Sequence, residues 1–502
     1  MIRRRATKQG KEIFPIKIDE LKKILQSHFE MNKDDLSFTT YEKQGKKIAV
    51  FFIATVVNSD KIDQSLLQPL LQMKESWTAN SIANNIPIES SQKLNSFEHI
   101  LEMITYGTVV VYVEDDPEAI TYLLLEKEKR GLAEAETESL VVGPKIAFTE
   151  SINTNMNIVR WRIRSTDLVM EELHIGKTVP REVRLVYMKS IANEADVNTM
   201  RQRLQDLDVG EIEDAFVLTQ YIEDDQLNLF PQFDTTELPD RFTYAITKGK
   251  VGVLVENSPT GFTGPTTFFS LLESTEDLYM RWQAGTFLRL LRFIAVFFSI
   301  VVTPLYVAII TYQSNILPVE LLVSIGQSRA AVPFPPLIEA LILELLIEFL
   351  REAGARLPTK VGQTMGIVGG IVIGQAAVEA GLTSNILIIV VAMSALASFT
   401  TPDYLMGTTI RIVRFPLILL SGFFGLVGLM FGLCFLVIHL VRLTSMGRPF
   451  LTPLYPLQIS DFNKVFYRTP PNVDGKRAKS YRPKFMFRYG SKEAEEKHDV
   501  DE

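Results

Sequence analysis

One cysteine, Cys434, and five histidines serve a chain of 502 residues. A single cysteine excludes an internal disulfide scaffold. His28, His99, His174, His439 and His498 are scattered, with none of the His/Cys spacings that hold zinc. The phosphate-loop pattern GxxxxGK(S/T) and the nucleophile elbow GxSxG are both absent. PTGFTGP at 259–265 is glycine-rich but lacks the lysine of a phosphate loop, and reads as a tight turn. Glu114, Asp115 and Asp116 before Pro117 read as a solvated turn, with no further ligands at metal spacing. Nothing points to an enzyme, a cofactor or a metal site.

Charge is missing too, but only in places. Lys and Arg number 52 against 59 Asp and Glu, a formal net charge of −7. Yet Phe293–Val319 is a run of 27 residues without one charge, Val361–Val378 one of 18, Ala380–Pro402 one of 23 and Phe415–Ile438 one of 24. About 20 apolar residues cross a bilayer as a helix. Four such runs in one third of a chain predict a helical membrane domain, with spans near 290–312, 361–380, 383–402 and 414–440. Cys434 falls inside the last span and reads as an inert apolar residue.

Leu337–Leu350 is apolar but carries Glu339, Glu344 and Glu348. Glu344, Glu348 and Glu352 step by four, so they stack on one helical face, with Glu339 well round from them. Two readings stand: an interfacial amphipathic helix with a solvated acidic stripe, or a re-entrant helix whose carboxylates line an aqueous vestibule.

The chain opens MIRRRATKQG with no apolar stretch after Arg3–Arg5, so no signal peptide is expected and the N-terminal region belongs on the cytoplasmic side. Arg281, Arg289 and Arg292 flank the first span on that side. Asn463–Lys492 carries nine Lys and Arg against one acid, Asp474, and also prefers the inside. Both ends inside require an even number of crossings. Four spans satisfy this if Leu337–Leu350 does not cross, and leave Arg351, Arg356, Lys360, Arg411 and Arg414 to be explained.

The region before residue 280 alternates helical and strand patterns, which predicts two α/β (α+β) subdomains, 1–145 and 146–280, ahead of an all-α polytopic domain at 281–443 and a basic tail at 444–502. Helices are expected at Ile16–Phe29, Asp60–Met73, Ser151–Leu173 and Asn193–Leu207. Strands are expected at Lys47–Val57, Thr108–Val113, Glu182–Ile191, Ala215–Glu223 and Lys250–Glu256. Glu126–Glu138 reads as the linker between the subdomains. Glu273–Leu291 reads as a helical lead into the first span.

Within 361–380, Gly362, Gly366, Gly370 and Gly374 recur every four residues, a spacing that lets helix backbones approach closely in lipid. The neighbouring face carries Val361, Met365, Val368, Val372, Gln375 and Glu379. Packed around an axis by their glycines, identical copies would present this face to a pore, with Val368 and Val372 as an apolar constriction and Glu379 as a cation-favouring ring. Tight packing inside one protomer accounts for the same glycines. Gly422, Gly425, Gly428 and Gly432 form a second packing stripe.

LRLLRF (288–293), PFP (333–335), REAGARLP (351–358), GQTMGIVGGIVIGQAAVEAG (362–381), SMGRPFLTPLYP (445–456) and GPKIAFTESINTNMNIVRWRIR (143–164) together resemble the A subunit of the GerA-type spore germinant receptors. Val142 and Trp161 stand where that family usually carries arginine, and Leu278 where it tends to carry tyrosine. The resemblance implies a multi-pass protein of the spore inner membrane. Its implied partners are a transporter-like B subunit that binds the nutrient, a lipoprotein C subunit, membrane lipid and further copies of itself, with no nucleic acid. It further implies a ring that forms a nutrient-gated ion channel releasing monovalent cations. A scaffold that only holds the nutrient-binding partner, or a secondary transporter, would be built from the same spans, although no paired halves or repeats of a transporter are evident.

Overall fold

The computed structural model describes residues 17–29, 35–43, 45–57, 61–86, 88, 91–124, 135, 138, 142–356, 374–470 and 475–488. The chain divides into two compact units, one of Met1–Gln226, Phe233–Pro265 and Pro470–Glu502, the other of Leu227–Gln232 and Thr266–Thr469.

The first unit holds two five-stranded antiparallel sheets. In one, β1 (Leu36–Lys43), β2 (Lys46–Ile53), β3 (Ser91–Leu94), β4 (Thr108–Val113) and β5 (Ala119–Leu123) take the order β1-β2-β4-β5-β3. The central strands KKIAVFFI and TVVVYV are almost continuously apolar because both faces are covered. Side chains alternate between faces along a strand. Ile48, Val50, Val109 and Val111 therefore meet Leu66 and Leu70, from the π-turn Ile62–Leu67 and α2 (Gln68–Gln72), and Ile82 of α3 (Ala79–Asn85). Ala49, Phe51, Val110 and Tyr112 meet Leu21 and Leu25 of α1 (Ile18–His28) and Ile100 and Ile104 of α4 (Phe97–Thr105).

The second sheet follows α5 (Ile152–Arg162) and contains β6 (Leu168–Ile175), β7 (Arg181–Met188), β8 (Asp234–Thr236), β9 (Val251–Val255) and β10 (Gly261–Gly264) in the order β6-β7-β9-β10-β8. Between the strands lie α6 (Glu194–Gln205), α7 (Ala215–Ile222) and α8 (Pro239–Lys248). Met156 and Val159 of α5 and Phe242 and Ile246 of α8 pack on Leu168, Met170, Val186 and Leu254. Inside this unit Arg160, 1% exposed, pairs with Asp35, which also accepts from the Thr55 hydroxyl at 2.6 Å.

Three expectations are corrected here. The helix expected over Ser151–Leu173 stops at Arg162, and after a turn the chain becomes edge strand β6, paired with β7 from Leu168↔Met188 to Ile175↔Arg181. The strand expected at Ala215–Glu223 is helix α7, whose buried residues Ala215, Leu218, Thr219 and Ile222 follow helical spacing despite the strand-forming composition AFVLTQYI. PTGFTGP is not a turn, since Gly261–Gly264 pairs with both β8 and β9. A side chain at Gly261 would lie 2.9 Å from Leu254 Cδ2 and 3.1 Å from the Phe242 ring, so its glycine serves close packing. The linker proposed at Glu126–Glu138 falls almost wholly outside the described residues.

In the second unit α9 (Glu276–Tyr279) is not continuous with the long helix after it: Met280 and Arg281 are extended, with ψ of 165° and 146°. The lead into the first span is thus a corner, not a rod. There follow α10 (Trp282–Tyr312), α11 (Val319–Arg329), α12 (Pro336–Arg356), α13 (374–379), α14 (Asn385–Ser398), α15 (Tyr404–Arg442) and α16 (Ile459–Phe466). Two of these, α10 and α15, are long and apolar enough to cross a membrane.

The helix α15 is two helices. Gly425, at φ 62° and ψ −144°, interrupts it. Along a straight helix residues 417 and 432 would stand about 22 Å apart. Here a side chain on Gly432 would strike Leu417, and one on Gly428 the backbone of Leu420. Met406 and Ile410 from one end share a buried cluster with Leu440 and Leu443 from the other. The arms 404–424 and 426–442 are therefore antiparallel, closed by one left-handed glycine. The second glycine stripe packs a hairpin on itself, and the single span expected at 414–440 is replaced by a reversal.

Candidate functional site

The second unit holds a ladder of ionisable side chains, and α12 supplies one carboxyl group to each rung. Apolar residues of α12, α10, α14 and the first arm of α15 surround it: Ala340, Leu343, Val307, Leu387, Val391 and Ile418 form one cluster.

At the middle rung Glu344 and Arg414, each with a side chain 2% exposed, meet at 2.6 Å. Thr303 Oγ1 donates to the other Glu344 oxygen at 3.0 Å, and Arg414 Nη2 donates to Ser299 Oγ at 2.9 Å. Ser394 of α14 donates to the Ser299 carbonyl at 3.0 Å, so four helices converge here.

One rung lies toward the N-terminus of α12. Glu339, fully buried, accepts from Thr383 Oγ1 at 3.0 Å and from the Ser384 N–H at 2.6 Å, and lies 3.5 Å from Arg329 of α11. Ser384 is the N-cap of α14, so this carboxylate sits where helix N–H groups and the dipole favour an anion. Tyr306 Oη stands 3.5 Å from Ser384 Oγ. At the opposite rung Glu348 pairs with Arg351 at 3.1 Å and Arg411 at 3.7 Å, while Arg351 also donates to Ser398 Oγ at 3.1 Å. A further cluster ties down the start of α10. Asp277, its side chain fully buried, pairs with Arg292 and, at 3.4 Å, with Arg289. Arg468 donates to the carbonyls of Leu278 and Met280 across the corner.

These contacts fix helix directions within the unit. From Glu339 to Glu344 along α12, the facing residue on α10 moves from Tyr306, which meets the Ser384 that Glu339 binds, back to Thr303, and from Glu344 to Glu348 the partner on α15 moves from Arg414 back to Arg411. Thus α12 runs antiparallel to α10 and to the first arm. The same holds for α14, whose Ser384 meets Tyr306 and whose Ser394 meets Ser299. At the far end of α10, Tyr312 Oη donates to the Phe423 carbonyl at 3.0 Å, and Leu426 N–H donates to Gln313 Oε1 at 3.3 Å, so the reversal at Gly425 is capped by α10.

Of the residues singled out in sequence, the structure brings Glu339, Glu344 and Glu348 together on one helix but in neither expected setting. Glu339 and Glu344 are buried against partners instead of facing water, because Arg329, Arg414, Thr303 and Thr383 reach them from neighbouring helices. The pore-lining candidates Val361, Met365, Val368 and Val372 and the packing candidates Gly362, Gly366 and Gly370 lie outside the described residues. Gly374 opens α13 with nothing within 4 Å of where a Cβ would stand. Gln375 donates to Glu379 at 2.9 Å in an exposed pair on one face of that helix. Sequence reasoning missed Ser299, Thr303, Arg329, Thr383 and Ser394 as partners. The one available signal was the pair of arginines, Arg411 and Arg414, three residues apart and next to a charge-free run.

The outer faces of these helices are apolar and open. Phe297, Phe423, Phe431 and Phe435 are each at least 60% exposed, a surface that calls for lipid or protein cover.

Two antiparallel sheets flanked by helices, joined to a bundle of apolar helices with buried ion pairs, define an α/β region followed by a helical region built for an apolar setting. The chain belongs to the family described as Bacillus/Clostridium GerA spore germination protein, whose pattern matches residues 19–480. It is 40% identical over 476 residues to the spore germination protein GerQA of Bacillus cereus, covering 94% of this chain and 95% of that one. It is 35% identical to spore germination protein A1 of Bacillus subtilis (strain 168), covering 80% and 83%. It is 34% identical to the B. subtilis membrane protein YfkQ, covering 84% and 83%. A solved structure, the N-terminal domain of the A subunit of the Bacillus megaterium spore germinant receptor GerK3, aligns with 52% of this chain and 99% of its own at 22% identity and a TM-score of 0.40.

Proposed function

We propose that this chain is the A subunit of a nutrient germinant receptor in the spore inner membrane, without enzymatic activity, and that copies of it assemble into a cation channel opened by nutrient binding to a transporter-like partner. The observation that carries the reading is the near full-length match to spore germination proteins, on a chain whose second unit buries ion pairs among apolar helices. A lipoprotein subunit completes the complex. The N-terminal unit lies in the cytoplasm.

The helix directions support one membrane path. If α10 runs outward, α12 and α14 both return, so the chain must pass out again between them, and the two arms of α15 go out and back. Six transits result, and an even number agrees with a chain that leaves the first unit at Pro265 and rejoins it at Pro470. The 21 residues of α12 span about 31 Å, enough for a bilayer core, while the 14 of α14 span about 21 Å and require local thinning or their flanking residues. The charges on α12 are tolerable in this setting because they are paired.

The test is ion flux through liposomes holding the purified chain, wild type beside Val372→Ser, with oligomeric state measured in the same sample. The variant should leak cations without nutrient, and Gly366→Leu should abolish assembly. Silence from an intact Val372→Ser oligomer would overturn a pore lined by this segment and favour a scaffold.

A further inference from the structure

The segment 475–488 reads GKRAKSYRPKFMFR: six cations and no acid in fourteen residues. It is a built element within the first unit. Its ends pair, with Arg477 N–H donating to the Met486 carbonyl at 2.7 Å, Arg488 N–H to the Gly475 carbonyl at 2.8 Å, and Lys476 bridged to Phe487. The Arg477 side chain donates to the carbonyls of Thr247, Phe485 and Phe487, which pins the strip to itself and to α8. Its turn is docked: Tyr481 is 7% exposed, and Lys484 N–H donates to the Ile191 carbonyl at 2.8 Å. What faces outward is Lys476, Lys479, Arg482 and Arg488, together with Phe485 and Phe487, each 53% exposed, while the Lys484 ammonium is engaged by Glu194 at 2.9 Å.

Four outward cations interleaved with two exposed aromatic rings on a docked strip is the chemistry of an anionic lipid surface: charge for the headgroups, rings for the interface. The sequence also places the strip near a bilayer. Lys476 follows Thr469, the end of the apolar unit, by seven positions, a tether of at most about 25 Å. We infer that the strip at 475–488 binds anionic phospholipid headgroups of the membrane into which the second unit is inserted, and so anchors the first unit to that surface. This rests on the membrane reading above.

The experiment uses the full chain in nanodiscs, with Cys434→Ser removing the one native thiol and Phe487→Cys carrying an environment-sensitive NBD fluorophore. In discs with 30% phosphatidylglycerol the NBD emission should shift to the blue and be quenched by doxyl-labelled lipid. In pure phosphatidylcholine discs it should not, and high salt should reverse the shift. Replacing Lys476, Lys479, Arg482 and Arg488 by Gln should lower the bound-to-free ratio roughly fivefold per cation removed. Hydrogen-exchange protection of the Lys484 N–H confirms that the variant strip stays docked. An equal shift in both lipids, an unaltered shift in the neutralised variant, or no shift in either disc overturns the inference. Failure of the chain to enter discs at all would instead overturn the membrane reading.

Discussion

Removing one member of the Glu344–Arg414 pair should cost far more than removing both. In Arg414→Met the Glu344 carboxylate keeps only the Thr303 hydroxyl, at 3.0 Å, within a site 2% exposed. Stranding a buried charge in this way costs about 3–5 kcal/mol. The double replacement Glu344→Leu with Arg414→Met removes both charges. It leaves Ser299 without one donor and Thr303 without one acceptor, each worth about 1 kcal/mol, and gains apolar packing against Leu343 and Ile418. Its net cost should fall near zero to about 2 kcal/mol. Thermal unfolding of the purified chain in detergent or nanodiscs, followed by tryptophan fluorescence, reads the difference. At roughly 2–4 °C per kcal/mol for a unit of this size, each single variant should melt roughly 6–20 °C lower and the double variant only a few degrees lower. Two single variants that each melt within about 2 °C of wild type would refute the argument, because they would mean that both groups are hydrated.

The hairpin predicts that Gly425→Ala destabilises by about 1–2 kcal/mol or more, since φ is 62° and the added Cβ would meet Gln313 Oε1 at 2.7 Å; the same melt checks it. Single cysteines at Tyr404, Phe424 and Arg442 in a Cys434→Ser background should label with an impermeant maleimide from opposite faces, 424 from outside and both 404 and 442 from inside; labelling of 404 and 442 from different faces would eliminate the reversal. In the first unit burial, with the Glu171 carboxylate nearby and Arg201 opposing, pushes the Tyr187 phenol from its ordinary 10 up to about 12. The fold thus favours the neutral phenol, so its contribution is intact below pH 10 and is lost as pH rises from 10 to 12; tyrosinate absorbance and alkaline melts should show that loss in wild type and not in Tyr187→Phe.

The sequence was easiest to read where one physical pattern dominates. Thr108–Val113 has no polar residue beyond its first, and its strand is buried on both sides as such a run requires. Reading failed where local composition and tertiary context disagree. AFVLTQYI has strand-forming residues but is helical, because Ala215, Leu218 and Ile222 find a core on one side only. The region after Arg162 was read as continuing helix, yet LVMEELHI pairs along the full length of β7. The three glutamates of the ladder were legible as a set, since their spacing is a property of one helix. Their burial was not, because it depends on Arg329 and Arg414, 10 residues before Glu339 and 70 after Glu344 in the chain.

Hydropathy counts each charge on a helix as a separate cost, and that is why α12 reads as amphipathic in sequence. Its charges Glu339, Glu344, Glu348 and Arg351 meet Arg329, Arg414, Arg411 and Ser398 from three other elements, so the cost belongs to pairs and not to single residues. The same pairing answers for the arginines at 351, 411 and 414, which four crossings left without a place. On the proposed path, adding α12 alone would make five transits and put the tail on the side opposite the first unit. Folding α15 back at Gly425 adds one more and restores parity, so the two departures from the four-span path support each other. The Glu344–Arg414 contact requires α12 and the first arm of α15 to share one setting, and the reversal at Gly425 returns the chain toward Pro470, where it rejoins the unit that it left at Pro265.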